Sequence, residues 1–212
     1  MIAYELIRTL PPPPLVAGTL ATYEVAGNGV FYHAARPLLE ARVLVAPALV
    51  RGLPPLAPFV HLQVPKVPRV LWETMLTIAR EQQDARGPLE VLFHLLYVSG
   101  RWEVQQPAQQ QTPLSVIPLE TGPDSTYERA IIEVHSHHRM PAFYSATDAA
   151  DDRWFRFNVV LGHIFTEPEI LVRLGVDGYQ SVVAATTICE QVPAGWHDVS
   201  EVVGIREEDG HA

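Results

Sequence analysis

Proline constrains this chain more than any other residue type. The first third of the sequence contains many of its 19 prolines, namely Pro11–Pro14, Pro47, Pro54, Pro55, Pro58, Pro65 and Pro68. Proline has a fixed φ and no backbone N–H, so it interrupts helix interiors and central strands. Residues 1–66 are therefore predicted to form a small, mostly β unit. Its short β-like runs are Leu15–Leu20, Val30–Ala34, Ala41–Val45 and Phe59–Val64, with a hairpin turn at Asn28-Gly29.

From Val67 the pattern changes, and residues 67–212 are predicted to form a second domain. Apolar residues at helical spacing predict a helix over Val70–Gln83. The Gln- and Pro-rich segment Arg101–Pro118 is predicted to be a loop or an extended excursion, and a further helix is expected to begin near Ser145. Apolar runs predict strands at Leu89–Val98, Arg129–His135, Phe155–Phe165, Ile170–Leu174 and Gln180–Ile188. This order of elements predicts an α/β (α+β) sandwich, in which helices flank a mixed β-sheet.

Composition excludes several classes of function. The formal net charge is −9 and no cluster of Lys or Arg interrupts it, which argues against a nucleic-acid partner. Cys189 is the single cysteine, so neither an internal disulfide nor a thiolate metal cluster can form. No signal-peptide pattern and no apolar run of about 20 residues is present. We therefore expect a cytoplasmic protein without a membrane partner.

The most informative stretch runs from residue 133 to residue 148. Side chains two residues apart in a strand point to the same side, so His135 and His137 can present two imidazoles at one strand end. Zinc accepts imidazole and carboxylate, and Asp148 is the candidate third ligand if the intervening loop folds back over the strand end. Ser145 stands three residues before Asp148, which is also the pattern of a helix N-cap.

Each part of this pattern also has a structural explanation. A buried histidine usually serves packing, and Ser-x-x-Asp is usually a helix cap. Two other classes of zinc enzyme are excluded: the sequence has no His-Glu-x-x-His, which zincins require, and no Cys-x-x-Cys pair, which zinc deaminases require. Ser136 alternates onto the opposite face of the strand and is expected to be structural, and His138 is expected to be an exposed loop residue.

The whole pattern resembles the signature of the JAMM/MPN metallopeptidases. His-Ser-His at 135–137, seven further residues, Ser145, two residues and Asp148 match that signature in every spacing. One difference is that His138 stands where the family has proline, with Pro141 three residues later. The family also has an upstream glutamate after a long helix, in a Pro-x-Glu context that Pro88-Leu89-Glu90 matches.

The resemblance implies one zinc ion per chain, bound by His135, His137 and Asp148. It implies that Glu90 is the general base, with Glu133 as the alternative because it lies on the His135 side of the strand. Ser145 would donate a hydrogen bond to the oxyanion. Members from the bacterial PRTRC genetic system are similar to this chain, which implies a ubiquitin-like protein or its conjugate as substrate. A non-catalytic MPN-type scaffold and a small-molecule zinc amidase remain as alternatives.

Overall fold

The computed structural model describes residues 2–16, 18–85, 87–145 and 154–200. The chain divides into two compact units, Met1–Gln63 and Val64–Ala212, whereas the sequence predicts a boundary after residue 66. Each unit contains its own principal β-sheet. Within the described residues no helix combines the length and the apolar character needed to cross a membrane.

The first unit contains a sheet of five strands arranged in chain order: β1 (Ile2–Leu6), β2 (Ala21–Ala26), β3 (Gly29–Arg36), β4 (Leu39–Pro47) and β5 (Phe59–Leu62). β1 is parallel to β2, and the other neighbours are antiparallel. The predicted hairpin is present, but Ala26 pairs with Gly29, so its turn residues are Gly27 and Asn28. A Cβ atom at residue 27 would lie 2.2 Å from the Leu53 carbonyl oxygen. This close approach requires glycine there.

A buried charged cluster holds this first sheet together. The carboxylate of Glu24 accepts hydrogen bonds from Arg42, with its Nη2 at 3.2 Å, and lies 2.9 Å from His33 Nδ1. The other ring nitrogen of His33 is 2.9 Å from a Glu40 oxygen. Glu24, His33 and Arg42 are all buried, so the charges of Glu24 and Arg42 are satisfied within the cluster rather than by water.

The second unit contains helices α1 (Arg69–Glu81) and α2 (Thr126–Arg129) and a short 3-10 helix at Ala185–Thr187. Its strands are β6 (Gln83–Asp84), β7 (Gly87–Pro88), β8 (Leu92–Val98), β9 (Arg101–Gln105), β10 (Gln109–Thr112), β11 (Ser115–Pro118), β12 (Ile132–Ser136), β13 (Arg156–Gly162), β14 (Glu169–Val176), β15 (Tyr179–Val182) and β16 (His197–Asp198). Seven strands form one mixed sheet in the order β15-β14-β13-β12-β8-β9, with β16 beside β14. β12 runs parallel to β13 and antiparallel to β8. The pairs β6–β7 and β10–β11 form two small separate sheets.

The predicted α/β (α+β) sandwich with flanking helices is wrong. The described residues are 44% strand and 11% helical, with two α-helices. The first predicted helix is present as α1. Of the two alternatives for Arg101–Pro118, a loop or an extended excursion, the structure has extended chain, since the segment forms β9 and the β10–β11 hairpin. The backbone groups of this glutamine-rich segment form cross-strand hydrogen bonds between β10 and β11. Amino-acid composition alone does not reveal such pairing. The helix expected near Ser145 falls mainly on residues 146–153, outside the described residues.

The two faces of the seven-stranded sheet differ in polarity. On one face buried apolar side chains follow one another across β8, β12 and β13, including Phe93, Val134, Phe157 and Val159. On the other face four polar side chains form a row across four adjacent strands: His94, Glu133, Asn158 and Arg173. Alternation along β12 puts His135 on this polar face, which therefore positions the candidate site.

Candidate active site

A cavity of about 540 Å³ lies on the polar face of the seven-stranded sheet. Its lining includes five residues singled out from the sequence, namely Glu90, Glu133, His135, His137 and Ser145. They come from three places in the chain: the segment before β8, the strand β12 with the residue after it, and the segment that follows. Cavities of this volume are typical of small-ligand and substrate sites.

The rings of His135 and His137 face each other at the end of β12. His135 Nε2 and His137 Nε2 are 3.1 Å apart, and their ring planes are inclined at 53°. Two imidazole nitrogens that bind one tetrahedral zinc at 2.0–2.1 Å lie roughly 3.3 Å from each other. The observed separation therefore fits a shared zinc ion without movement of the strand.

The ring of His137 is oriented by the backbone. Its Nδ1 lies 3.3 Å from the Pro141 carbonyl oxygen, to which a protonated Nδ1 donates. A protonated Nδ1 leaves the lone pair on Nε2, the atom that faces His135. Pro141, whose carbonyl oxygen contacts this ring, lies three residues after the position at which the JAMM/MPN signature has its proline.

His138, which stands at that family position, is buried rather than exposed as expected. Its φ is +34°, and its carbonyl oxygen accepts a hydrogen bond from Ile164 N at 2.7 Å. The turn therefore folds the ring inward. Burial, together with the neighbouring Arg139 charge, lowers the pKa of His138 and favours its neutral form.

The third predicted ligand, Asp148, lies outside the described residues. Among residues 2–16, 18–85, 87–145 and 154–200, no group of three His, Cys, Asp or Glu side chains is placed to hold a metal ion. Of the three predicted ligands, the described part of the chain brings together two, His135 and His137. A complete zinc site requires a further ligand.

Glu90 is held in place by the next residue, Val91, which bonds the histidine strand, and by its own backbone, which bonds the β10–β11 hairpin. Ser136 N donates to Val91 O, and Val91 N donates to Ser136 Oγ, both at 3.1 Å. Glu90 N donates to Thr112 O at 3.0 Å, and Gln111 Nε2 donates to Glu90 O at 2.7 Å. Ser136 thus has the structural role predicted by strand alternation, and the β10–β11 hairpin fixes the Glu90 backbone at the edge of the cavity.

Glu133 belongs to an ion-pair network. Its Oε2 accepts a hydrogen bond from Arg156 Nη1 at 2.8 Å and lies 3.5 Å from His94 Nε2. Burial by itself would raise the pKa of Glu133, but the polar contact with His94 and the charge of Arg156 outweigh it and lower the pKa. A carboxylate stabilised in this way is a weak proton acceptor, which favours Glu90 as the base.

Sequence reasoning missed the two arginines of the cavity. Arg156 is 2% exposed and its guanidinium carbon lies 4.3 Å from the Tyr127 ring centre, while that of Arg173 lies 3.6 Å from the Tyr144 ring centre. Both occur in runs that otherwise read as buried strands. A charged residue on a buried strand needs a partner. The two arginines in these apolar runs were therefore the sequence signal for a polar site on the sheet.

The β10–β11 hairpin forms one wall of the cavity, through the residues Leu114, Ser115, Val116, Ile117 and Pro118. Leu114 and Ile117 are large apolar side chains that remain exposed. The segment predicted to be a connecting loop therefore contributes directly to the site. It offers an apolar surface next to Glu90.

Cys189 does not contribute a nucleophile. The thiol is buried, and this burial, aided by the Asp198 charge, raises its pKa to about 12. A thiol with such a pKa is protonated at neutral pH. The chemistry of the cavity therefore depends on its carboxylates, imidazoles, hydroxyls and guanidiniums.

No protein-family model matches this chain, and comparison with curated proteins finds no match.

Proposed function

We propose that this chain is a zinc-dependent peptidase or isopeptidase of the JAMM type. Its substrate would be the C-terminal tail of a ubiquitin-like protein, or its conjugate, in a bacterial PRTRC-type system. One observation carries the proposal: His135 Nε2 and His137 Nε2 lie 3.1 Å apart in a cavity that Glu90 also lines. The mostly β fold lends the family resemblance no support, so the proposal depends on motif spacing and on this cavity.

The residues have distinct roles in the proposed hydrolysis. His135, His137 and Asp148 would hold the zinc ion, which when bound supplies a Lewis acid that makes water nucleophilic at neutral pH. Glu90 accepts the proton of the attacking water and then passes it to the leaving amine. Ser145, which lines the same cavity, donates a hydrogen bond to the carbonyl oxygen as negative charge develops on it.

A small-molecule amidase that uses the same zinc chemistry is the second candidate. The cavity of about 540 Å³ supports it, because this volume holds a whole small ligand rather than only an extended tail. The two candidates differ in the size of the acyl group that the enzyme must recognise. Comparison of a ubiquitin-like fusion with short acyl amides would separate them.

Metal analysis of purified protein tests the proposal. Wild-type protein reconstituted with zinc and then dialysed should contain about one zinc per chain. His135→Ala should contain nearly none, because it removes one of the ligands, whereas His61→Ala, a change at an exposed histidine of β5, should retain the wild-type content. Circular dichroism would check that each variant is folded.

Turnover is measured in the same preparations by mass spectrometry of a ubiquitin-like protein with a C-terminal extension. We expect zinc-dependent release of the extension by wild type and His61→Ala only. Equal zinc in wild type and His135→Ala would refute the metal assignment. Full zinc occupancy without cleavage of the fusion or of short acyl amides would instead indicate the non-catalytic scaffold.

A further inference from the structure

Arg156 presents an unused hydrogen-bonding edge in the cavity. Its Nη1 donates to Glu133 at 2.8 Å, but its Nε and Nη2 are buried and make no hydrogen bond with any described residue. The N–H groups of Nε and Nη2 point in parallel and form the fork that binds a carboxylate through two hydrogen bonds. A buried donor pair of this kind costs free energy unless a ligand satisfies it.

The surroundings of Arg156 hold its guanidinium in place. It stacks against Tyr127, with Trp154 at 5.6 Å on the same guanidinium carbon. Arg173 lines the same cavity and pairs across the sheet with Asn158, two residues along β13 from Arg156. Diagonal neighbours of this kind are about 7–8 Å apart at their Cα atoms, so two long arginines can reach a single anion.

The position of Arg156 relative to the histidines limits the size of the ligand. Arg156 bonds Glu133, which precedes His135 by two residues on β12. Two residues of a strand span about 6.6–6.8 Å. An extended peptide advances about 3.3–3.6 Å per residue, so an anion held at Arg156 lies one or two residues from an amide bond placed at the histidine pair.

We propose that Arg156, with Arg173 beside it, binds the free carboxylate at the end of the leaving group. The preferred reaction is then removal of one or two residues from a C-terminal tail, rather than cleavage of an isopeptide bond to a large protein. This inference deepens the proposed function and depends on it for the position of the scissile bond. The carboxylate site itself does not depend on zinc.

Binding of a matched pair of ligands to the full chain tests the site. Isothermal titration calorimetry compares N-acetyl-glycyl-phenylalanine with its carboxamide, in zinc-loaded protein and again after chelation. We expect the free acid to bind about 10–100-fold more tightly, because a charge-assisted hydrogen bond contributes about 1.5–3 kcal/mol and 1.4 kcal/mol is tenfold. The preference should persist without zinc, which excludes coordination of the carboxylate by the metal.

Two variants assign that preference to the arginine. Arg156→Lys keeps the charge but lacks the fork, so it should reduce the acid–amide difference to about threefold or less and leave the carboxamide Kd unchanged. Arg101→Lys, at an arginine that is 77% exposed and pairs with Glu103, should retain the full difference. Circular dichroism would verify folding, and the acid–amide comparison in wild type needs no variant.

Equal dissociation constants for acid and carboxamide in wild type would overturn the inference. So would the absence of binding by either ligand at about 10 mM, or a preference that Arg156→Lys leaves intact. A protein that lacks zinc and turnover yet retains an Arg156-dependent preference would refute the proposed function and leave the carboxylate site standing. Zinc-dependent cleavage without the acid–amide preference would support the proposed function and refute the carboxylate site.

Discussion

Replacement of Glu133 by glutamine separates the structural carboxylate of the cavity from the catalytic one. Glutamine keeps the size of the side chain and one acceptor oxygen for Arg156 Nη1, which donates to Glu133 at 2.8 Å. It removes the negative charge that faces Arg156 and His94. The geometry of the hydrogen bond can therefore survive while its charge-assisted part is lost.

The size of the effect follows from the burial of this pair. A hydrogen bond between charged groups contributes about 1.5–3 kcal/mol and a neutral one about 0.5–1.5 kcal/mol. Arg156 is 2% exposed, so water cannot solvate its guanidinium in place of the lost carboxylate charge. We expect Glu133→Gln to lower the free energy of unfolding by about 1–2 kcal/mol. For a domain of this size, this corresponds to a decrease in Tm of about 2–8 °C.

Thermal denaturation and turnover are measured on the same protein. Glu133→Gln should keep most of its activity at a temperature where it is folded. Glu90→Gln should keep its zinc and lose turnover by about 10²–10⁴-fold, because an amide cannot accept the proton from water. Glu103→Gln is the matched control, since it breaks an exposed pair with Arg101 and should change stability by less than about 1 kcal/mol.

Two results would refute this reasoning. If Glu133→Gln abolishes turnover while Glu90→Gln retains it, the base has been misassigned. If Glu133→Gln leaves Tm unchanged, the ion pair with Arg156 contributes no net stability, and desolvation of the two charges must offset their attraction.

Two further predictions concern the first unit and the hairpin. Burial would raise the pKa of Glu24, but the hydrogen bonds from His33 and Arg42 and the Arg42 charge outweigh it and lower the pKa. The stabilising contribution of Glu24 is therefore present above the ordinary glutamate pKa. It is lost as pH falls through the lower pKa of the folded protein. The free energy of unfolding of the full chain, measured in urea across that pH range, should fall for wild type and change little for Glu24→Gln. The same pH dependence in both proteins would contradict this prediction. Replacing both Leu114 and Ile117 by serine should raise KM for a ubiquitin-like substrate with kcat and zinc content unchanged, whereas an unchanged KM would place substrate binding elsewhere.

The convergence of the candidate residues was predictable because it depends on short-range rules. Strand alternation alone places Glu133 and His135 on one side of β12 and Ser136 on the other. The Pro-x-Glu context identified Glu90, which the structure places at the same cavity as the histidines. The prediction did not include how Glu90 is held there. That depends on Ser136 and on the hairpin, which pair residues distant in sequence.

The fold class was not predictable from the same rules, because strand pairing is non-local. Leu15–Leu20 has a β-like composition, but none of its described residues is in a strand, whereas Ile2–Leu6 forms β1 by pairing with β2. Arg101–Pro118 has a loop-like composition but forms strands, because its backbone groups find partners in β8 and within the hairpin. Pairing partners of this kind decide strand formation more than intrinsic propensity does.

The polar row across the seven-stranded sheet provides a further sequence signal. A row of His94, Glu133, Asn158 and Arg173 on the central strands has no structural advantage over apolar side chains, since buried ion pairs are often no more stable than well-packed hydrophobic residues. The presence of these groups beside the His135–His137 pair is consistent with the binding role proposed for this face of the sheet. Charged residues inside apolar strand patterns, such as Arg156 and Arg173, are therefore a sequence signal for a candidate binding site.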